Sequence, residues 1–279
     1  MKEGMAQRGI TGAFFVIVML GGLYGGKYSF VFLFAVVTGL CLWEFLSLTL
    51  EKDDINYFTR KIFGLVFGML PFVFISIVQL NAIQNPHDYV PLLAILFFPF
   101  MFLSFIIELF TNSKSPFSNI GVVILGMAYI GIPFALLSFI AFEGDYFYAN
   151  TIFGLLTMTW ANDTGAYLVG SKYGKNKLFA RISPKKTWEG TLGGVAVTLL
   201  FALLYGYFFR ELTISNWLVL GLIVSIFGSI GDLVESMLKR SLDIKDSGSL
   251  LPGHGGFLDR FDAFIFLIPF ASAYILWVR

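Results

Sequence analysis

The sequence predicts an all-α, polytopic integral membrane protein with about nine transmembrane helices and a cytoplasmic N-terminus. Three observations lead there. Hydrophobic residues make up 57% of the chain and charged residues only 13%, where soluble domains carry about a quarter charged. Mean hydropathy is +0.79, and the apolar residues gather into runs near the length of about 20 that a helix needs to cross the hydrocarbon core. Finally, all but three of the 19 Lys and Arg residues fall in alternate connections between those runs.

The runs lie at 10–26, 28–49, 62–80, 90–110, 120–142, 150–170, 190–209, 216–234 and 263–278. Lys2 and Arg8 precede the first, but no small-residue cleavage site follows it and a second run begins almost at once, so it reads as a retained span. With the N-terminus inside, only Lys27, Arg210 and Arg279 sit on the outer side, the distribution that the positive-inside rule demands. The connections 81–89 and 143–149 carry no Lys or Arg and read as plain links. In contrast, 171–189 and 235–262 are long, basic and cytoplasmic. Residues 1–150 are therefore expected to be scaffold helices with scope for lipid or dimer contacts, and 151–279 the catalytic region.

A net charge of +1 does not point to a nucleic-acid partner, and none is expected. The one cysteine, Cys41, lies in an apolar run and reads as a small hydrophobe. The 33 Phe fit lipid-facing and inter-helix packing. Small-xxx-small pairs such as Gly64/Gly68 would allow close helix approach, although a chain with 29 Gly contains such pairs by chance.

Charges inside spans are costly and usually face a bundle interior or a water-filled cavity. Glu44 and Glu108 fall near the cytoplasmic ends of spans two and four and are expected simply to reach the interface. Asp163 lies within span six, in the run Trp160-Ala161-Asn162-Asp163-Thr164-Gly165-Ala166-Tyr167. Helical spacing puts Tyr167 on its face, where the hydroxyl could orient the carboxylate, either as a structural pair or as part of a site. Asp232, Glu235, Ser236 and Lys239 follow at i, i+3, i+4 and i+7, a polar stripe that by itself reads first as a solvated helix end with internal ion pairs and only second as a ligand-binding face.

Asp259 and Asp262 shift that balance. Three residues apart near the start of the last span, each could be a simple helix cap. Together with Asp232 they make three carboxylates at one membrane depth, an oxygen-rich set suited to Mg²⁺ shared with substrate phosphates. The intervening 245–256 supplies Lys245, His254 and the glycines 248, 253, 255 and 256, which serve turns or let backbone amides point at an anion. A second basic segment, Ser183-Pro184-Lys185-Lys186-Thr187-Trp188-Glu189-Gly190, reads either as a topology-setting patch or as a phosphate-facing element. Lys185 and Lys186 stand nearest the membrane.

The run from Ser236 to Asp262, with Lys239-Arg240, Lys245-Asp246 and His254-Gly255-Gly256-Phe257-Leu258-Asp259-Arg260-Phe261-Asp262, resembles the characteristic motif of the phosphatidate cytidylyltransferases. The runs 183–190 and Trp160-x-x-Asp163 look like that family's cytoplasmic-side segments, whereas the first 150 residues match only as apolar spans. The resemblance implies the reaction of CTP with phosphatidic acid to give CDP-diacylglycerol and pyrophosphate. It also implies a requirement for Mg²⁺, often with K⁺ beside it, and a homodimer in the lipid bilayer. The implied setting is a bacterial inner (cytoplasmic) membrane with the site facing the cytoplasm. Carried onto this chain, Asp232, Asp259 and Asp262 are the expected cation-binding and catalytic carboxylates, with Lys239 catalytic and Ser236 close by. Lys185, Lys186, Arg240, Lys245, His254, Gly255, Arg260 and Asp163 are the expected substrate contacts.

Two other classes fit parts of the pattern. A transporter would explain intramembrane acids, but its paired interrupted helices have no N-terminal counterpart here. A CTP-dependent enzyme acting on a polyprenol or an isoprenoid ether lipid would share most of the motif. A Walker A sequence is absent, which a metal-and-glycine phosphate cradle does not need.

Overall fold

A computed structural model describes residues 2–52, 56–80, 86–111, 113–248 and 255–279. The chain is 80% helical. Among the described residues the long helices are α1 (Lys2–Tyr24), α2 (Lys27–Thr49), α3 (Tyr57–Gln79), α4 (Pro86–Leu109), α5 (Pro116–Ala141), α6 (Ala149–Tyr173), α7 (Trp188–Phe208), α8 (Ile214–Ser241) and α9 (Leu258–Val278). Six of them, α2, α3, α5, α7, α8 and α9, are long and apolar enough to cross a membrane. Helices α1 and α4 contribute shorter apolar stretches, Thr11–Tyr24 and Phe97–Leu109. A π-helical turn at Met127–Gly131 interrupts α5.

The chain divides into two compact units: residues 1–139 with 247–258, and residues 140–246 with 259–279. In the first, α2 is the central element, burying Phe30, Phe34, Val37, Cys41, Leu42 and Phe45. Gly64 and Gly68 of α3 face Leu46 and Leu42 of α2, so this small-xxx-small pair is a packing surface. Ser76 of α3 and Ser138 of α5 share a buried hydrogen bond of 2.9 Å.

The two carboxylates expected at the interface are inside instead. Glu108 is 6% exposed and forms an ion pair with the Arg60 guanidinium, itself 2% exposed. Arg60 Nη2 donates to Thr111 Oγ1 at 2.8 Å, and the same hydroxyl donates to Glu108 Oε2 at 3.1 Å. Desolvated charge must be paired, and the first turn of α3 supplies the partner. Lys61 is also buried, its ammonium 3.3 Å from the centroid of the Trp43 ring. Arg60 and Lys61 thus help to hold the helices of this unit together. Glu44 is 4% exposed and binds backbone and side chain of the 247–258 segment.

In the second unit, α6, α7 and α8 pack side by side. Helices α6 and α7 approach through glycines: a Cβ at Gly165 would lie 2.9 Å from Val197, and one at Gly194 would lie 2.6 Å from Asn162 Oδ1. The basic segment 171–189, expected as a loop, contains an antiparallel hairpin of β3 (Lys177–Phe179) and β4 (Ser183–Thr187). A shorter hairpin, β1 (Phe142–Glu143) with β2 (Tyr146–Phe147), links α5 to α6. Glu211 closes the start of α6 by accepting from the Thr151 amide and hydroxyl, both at 2.7 Å.

Removing one member of the buried Arg60–Glu108 pair strands the other. Glu108→Ala is expected to cost about 3–5 kcal/mol of stability, while the double change Arg60→Met with Glu108→Leu recovers most of it. Thermal unfolding of the purified variants in detergent measures both.

Candidate active site

The site residues in the second unit come from four elements, and local chemistry explains how each is presented. Thr187 ends β4 and caps α7, its hydroxyl accepting the Gly190 amide at 3.2 Å. Glu189, in the first turn of α7, accepts from the amide of Lys175 at 3.1 Å and from the side-chain amide of Asn176 at 2.7 Å. These bonds fasten the hairpin to the helix. Lys185 and Lys186 are therefore carried on a β-strand, where successive side chains point to opposite faces: Lys185 is exposed and Lys186 half-buried.

Lys186 reaches α8, its ammonium 2.6 Å from Asp232 Oδ2 and 3.3 Å from the Ser229 carbonyl. The other oxygen of Asp232 accepts from Ser236 Oγ at 3.3 Å, one turn along the same helix. Asn162 of α6, 2% exposed, donates to Ser229 Oγ at 3.3 Å. Between these elements lies a cavity of about 570 Å³, lined among others by Asp163, Tyr167, Lys177, Lys185, Lys186 and Asp232. Asp163 and Tyr167 share the cavity as their spacing predicts, but no hydrogen bond joins them, and Tyr167 is 73% exposed. The tyrosine lines the opening and does not orient the acid.

A second group forms where α8 and α9 meet. Lys239 places its ammonium 2.5 Å from Glu235 Oε2 and 2.9 Å from Asp259 Oδ1, joining the two helices through one cation. The Glu235 side chain has no exposed area. Gly231 lets the helices close, because a Cβ there would lie 3.0 Å from the Asp262 carbonyl oxygen and 2.6 Å from Cβ of Phe266. Asp262 Oδ1 accepts from the Ala263 amide at 2.7 Å, and the carboxylate lies within electrostatic reach of Asp232 and Asp163.

The expected residues therefore separate. Asp163, Lys185, Lys186 and Asp232 line the cavity, with Ser236 bonded to Asp232. Asp259 and Lys239 belong to the helix junction, and Asp262 stands within reach of the cavity acids. Arg240, Lys245 and Arg260 are exposed, with Arg240 donating to the Ile244 carbonyl at 3.3 Å. Gly255 adopts φ +83°, a left-handed backbone that suits glycine. His254 lies outside the described residues. Among the described residues, no three His, Cys, Asp or Glu side chains stand close enough together to hold a metal ion as they are placed. The donor chemistry still fits a hard cation. Asp163, Asp232 and Asp262 interact as like charges, and a divalent ion relieves such crowding.

Sequence reasoning passed over Ser229, and it gave no site role to Asn162 or Glu235, although both stand in the polar runs named above. Ser229 was within reach, since it continues the Asp232–Ser236 stripe one turn back. Burial of Glu235 carried no signal, because the stripe contains it whether that face meets water or protein.

The cytidylyltransferase family model matches residues 6–278. The chain belongs to the cytidylyltransferase family. The phosphatidate cytidylyltransferase of Bacillus subtilis (strain 168) is 36% identical over 269 residues, covering 95% of this chain and 96% of the relative. The protein of the same name from Staphylococcus aureus (strain COL) is 33% identical over 275 residues, covering 98% and 99%. That from Staphylococcus haemolyticus (strain JCSC1435) is 40% identical over 185 residues, 62% of this chain and 67% of its own. For this family member the likeness extends through the N-terminal helices, well beyond the motif-bearing half.

Because Gly231 sets how closely α8 meets α9, Gly231→Ala is expected to cost about 1–3 kcal/mol through overpacking. It should also lower turnover by moving Asp232 away from Asp262. Thermal inactivation and initial rates, measured on one preparation, test the two effects.

Proposed function

We propose that this protein transfers the cytidylyl group of CTP to phosphatidic acid, forming CDP-diacylglycerol and releasing pyrophosphate. The observation that carries this reading is the cavity lined by Lys185, Lys186, Asp163 and Asp232, with Lys186 paired to Asp232, in a chain of the cytidylyltransferase family. A phosphatidate oxygen is already nucleophilic, so no covalent protein nucleophile is required. That oxygen bonds to the α-phosphorus of CTP as the bond from the α-phosphorus to the bridging oxygen breaks, and the electron pair leaves with pyrophosphate. What remains for the protein is positioning and charge stabilisation.

Lys185 and Lys186 are the cations placed to meet phosphate oxygens. Lys186 also holds Asp232 at 2.6 Å, which keeps the acid oriented while the cavity is open. Asp232 and Asp262, with Asp163 beside them, would hold Mg²⁺, which when bound supplies positive charge to the triphosphate. Asp259 acts alongside them by fixing Lys239 between the two helices. Ser236 steadies Asp232. Arg240, Lys245 and Arg260, being exposed, would attract the anionic substrates before they dock.

The membrane arrangement belongs to the same proposal: nine crossings, the N-terminus in the cytoplasm, and the cavity opening to the cytoplasm of a bacterial inner membrane. The distribution of Lys and Arg supports it, as does the fit with a cytosolic nucleotide and a membrane lipid. Assembly as a homodimer, and K⁺ beside Mg²⁺, rest on the family resemblance alone.

Purified protein in detergent, given labelled CTP, phosphatidic acid and Mg²⁺, is expected to yield CDP-diacylglycerol, and EDTA to abolish the product. Asp232→Asn and Asp262→Asn should each lower kcat by about a hundredfold or more, the scale of losing a group that stabilises transition-state charge. Asp259→Asn should also lower it severely. Turnover only with a polyprenol or another lipid phosphate would replace phosphatidic acid as the substrate.

For topology, Cys41→Ala carrying a single new cysteine at Ser171 should react with an impermeant thiol reagent only from the cytoplasmic side. The same background with a cysteine at Asp145 should react only from the outer side. The reverse labelling would invert the orientation.

A further inference from the structure

Glu44 sits in the last two turns of α2, among the buried Leu42, Phe45 and Leu46 of the first unit. Its carboxylate is 4% exposed, and a charge buried this far must have a structural or functional reason. Oε2 accepts from the Leu258 amide at 2.8 Å and from Ser247 Oγ at 3.2 Å. The two donors are eleven positions apart in sequence: Ser247 lies six residues beyond the end of α8, and Leu258 is the first residue of α9. One oxygen therefore ties a residue within the connection to the start of α9.

The neighbouring glycines are shaped to the same group. A Cβ on Gly248 would lie 2.5 Å from Glu44 Oε1, and one on Gly256 would lie 2.7 Å from Oε2 and against Ser247 Oγ. Either methyl group would have to displace the carboxylate. Two glycines of the motif are thus accounted for by close approach to a side chain about 200 residues earlier in the chain (the Glu44–Ser247 separation is 203), without any phosphate contact.

Leu258 opens α9, and the next residues are Asp259 and Arg260 in the first turn, with Asp262 one turn beyond Leu258. The amide that Glu44 holds is one of the unsatisfied donors at this helix start. Fixing it fixes where the turn begins and the rotational register of the residues after it.

We propose that Glu44 is a positioning residue for catalysis: it clamps Ser247 of the α8–α9 connection to Leu258 at the start of α9 and so sets the first turn of α9, and the aspartates that follow Leu258, in register. This rests on the reading of the site given under Proposed function, and it gives a residue of the first unit a task in the reaction.

The test uses the full-length protein in detergent and follows two readouts, CDP-diacylglycerol formation and hydrogen exchange at the Leu258 amide. Glu44→Ala should speed exchange at Leu258 at least about tenfold, as local opening does, while the amides of α2 and α3 stay protected. The same variant should lower kcat by about ten- to a hundredfold through misplaced groups. Glu44→Gln, which still offers an acceptor oxygen to both donors, should keep most of the protection and turnover. Gly256→Ala keeps the glutamate in the chain but pushes its carboxylate off the two donors, so it should reproduce the Glu44→Ala pattern even if the latter folds poorly.

Unchanged exchange at Leu258 in both Glu44→Ala and Gly256→Ala would overturn the proposal. Acceleration spread equally through α2 and α3 in both variants would also overturn it, making Glu44 a general scaffold residue. Failure of the wild-type protein to make CDP-diacylglycerol would instead count against the function, and the exchange results would still decide whether the clamp exists.

Discussion

Much of the second unit depends on one ammonium group. Lys239 stands between Glu235 and Asp259, and without it two carboxylates would face each other in a place that water scarcely reaches. Desolvation makes such charges affordable only in pairs, and the pair here spans two helices. The ends of α8 and α9 are consequently held at a fixed separation, with Gly231 permitting the contact. Asp232 and Asp262 inherit their placement from this junction.

The same rule organises the first unit with different partners. Arg60 answers Glu108, the Trp43 ring receives Lys61, and hydrogen bonds from Leu258 and Ser247 answer Glu44. In each case the polar group joins segments far apart in sequence, while the apolar residues around it supply burial without direction. The Phe-rich faces decide that helices pack; the few buried ions help decide in which register they do so.

The cavity shows how the two kinds of element divide the work. Helices α6 and α8 present Asp163 and Asp232 from rigid backbones, and the β3–β4 hairpin brings Lys186 against Asp232, with Lys185 also lining the cavity. A strand is a good carrier for this pair, because it sends one lysine outward and turns the other toward α8. Glu189 and Thr187 anchor the strand to α7, so the basic segment is a structured wall of the cavity.

The sequence by itself determined the helical class, the positions of the apolar segments and the family, since length, composition and a motif of fixed polar spacing are properties of the linear chain. It also determined that Asp163 and Tyr167 share a face and that Ser236 lies one turn from Asp232, because helical periodicity is local. Only the tertiary structure decided which acids have partners. Glu44 and Glu108 looked like interface residues because their burial depends on Ser247, Leu258 and Arg60, none of which is near in sequence. The hairpin at 177–187 escaped notice for a related reason: its strands are short and polar, and they are held by the cap of α7 more than by any alternation of their own. The glycines at 248 and 256 could be read as turn or phosphate positions until Glu44 came to lie against them. Pairing of buried charge is a non-local event, and it is where the linear pattern ceased to be informative.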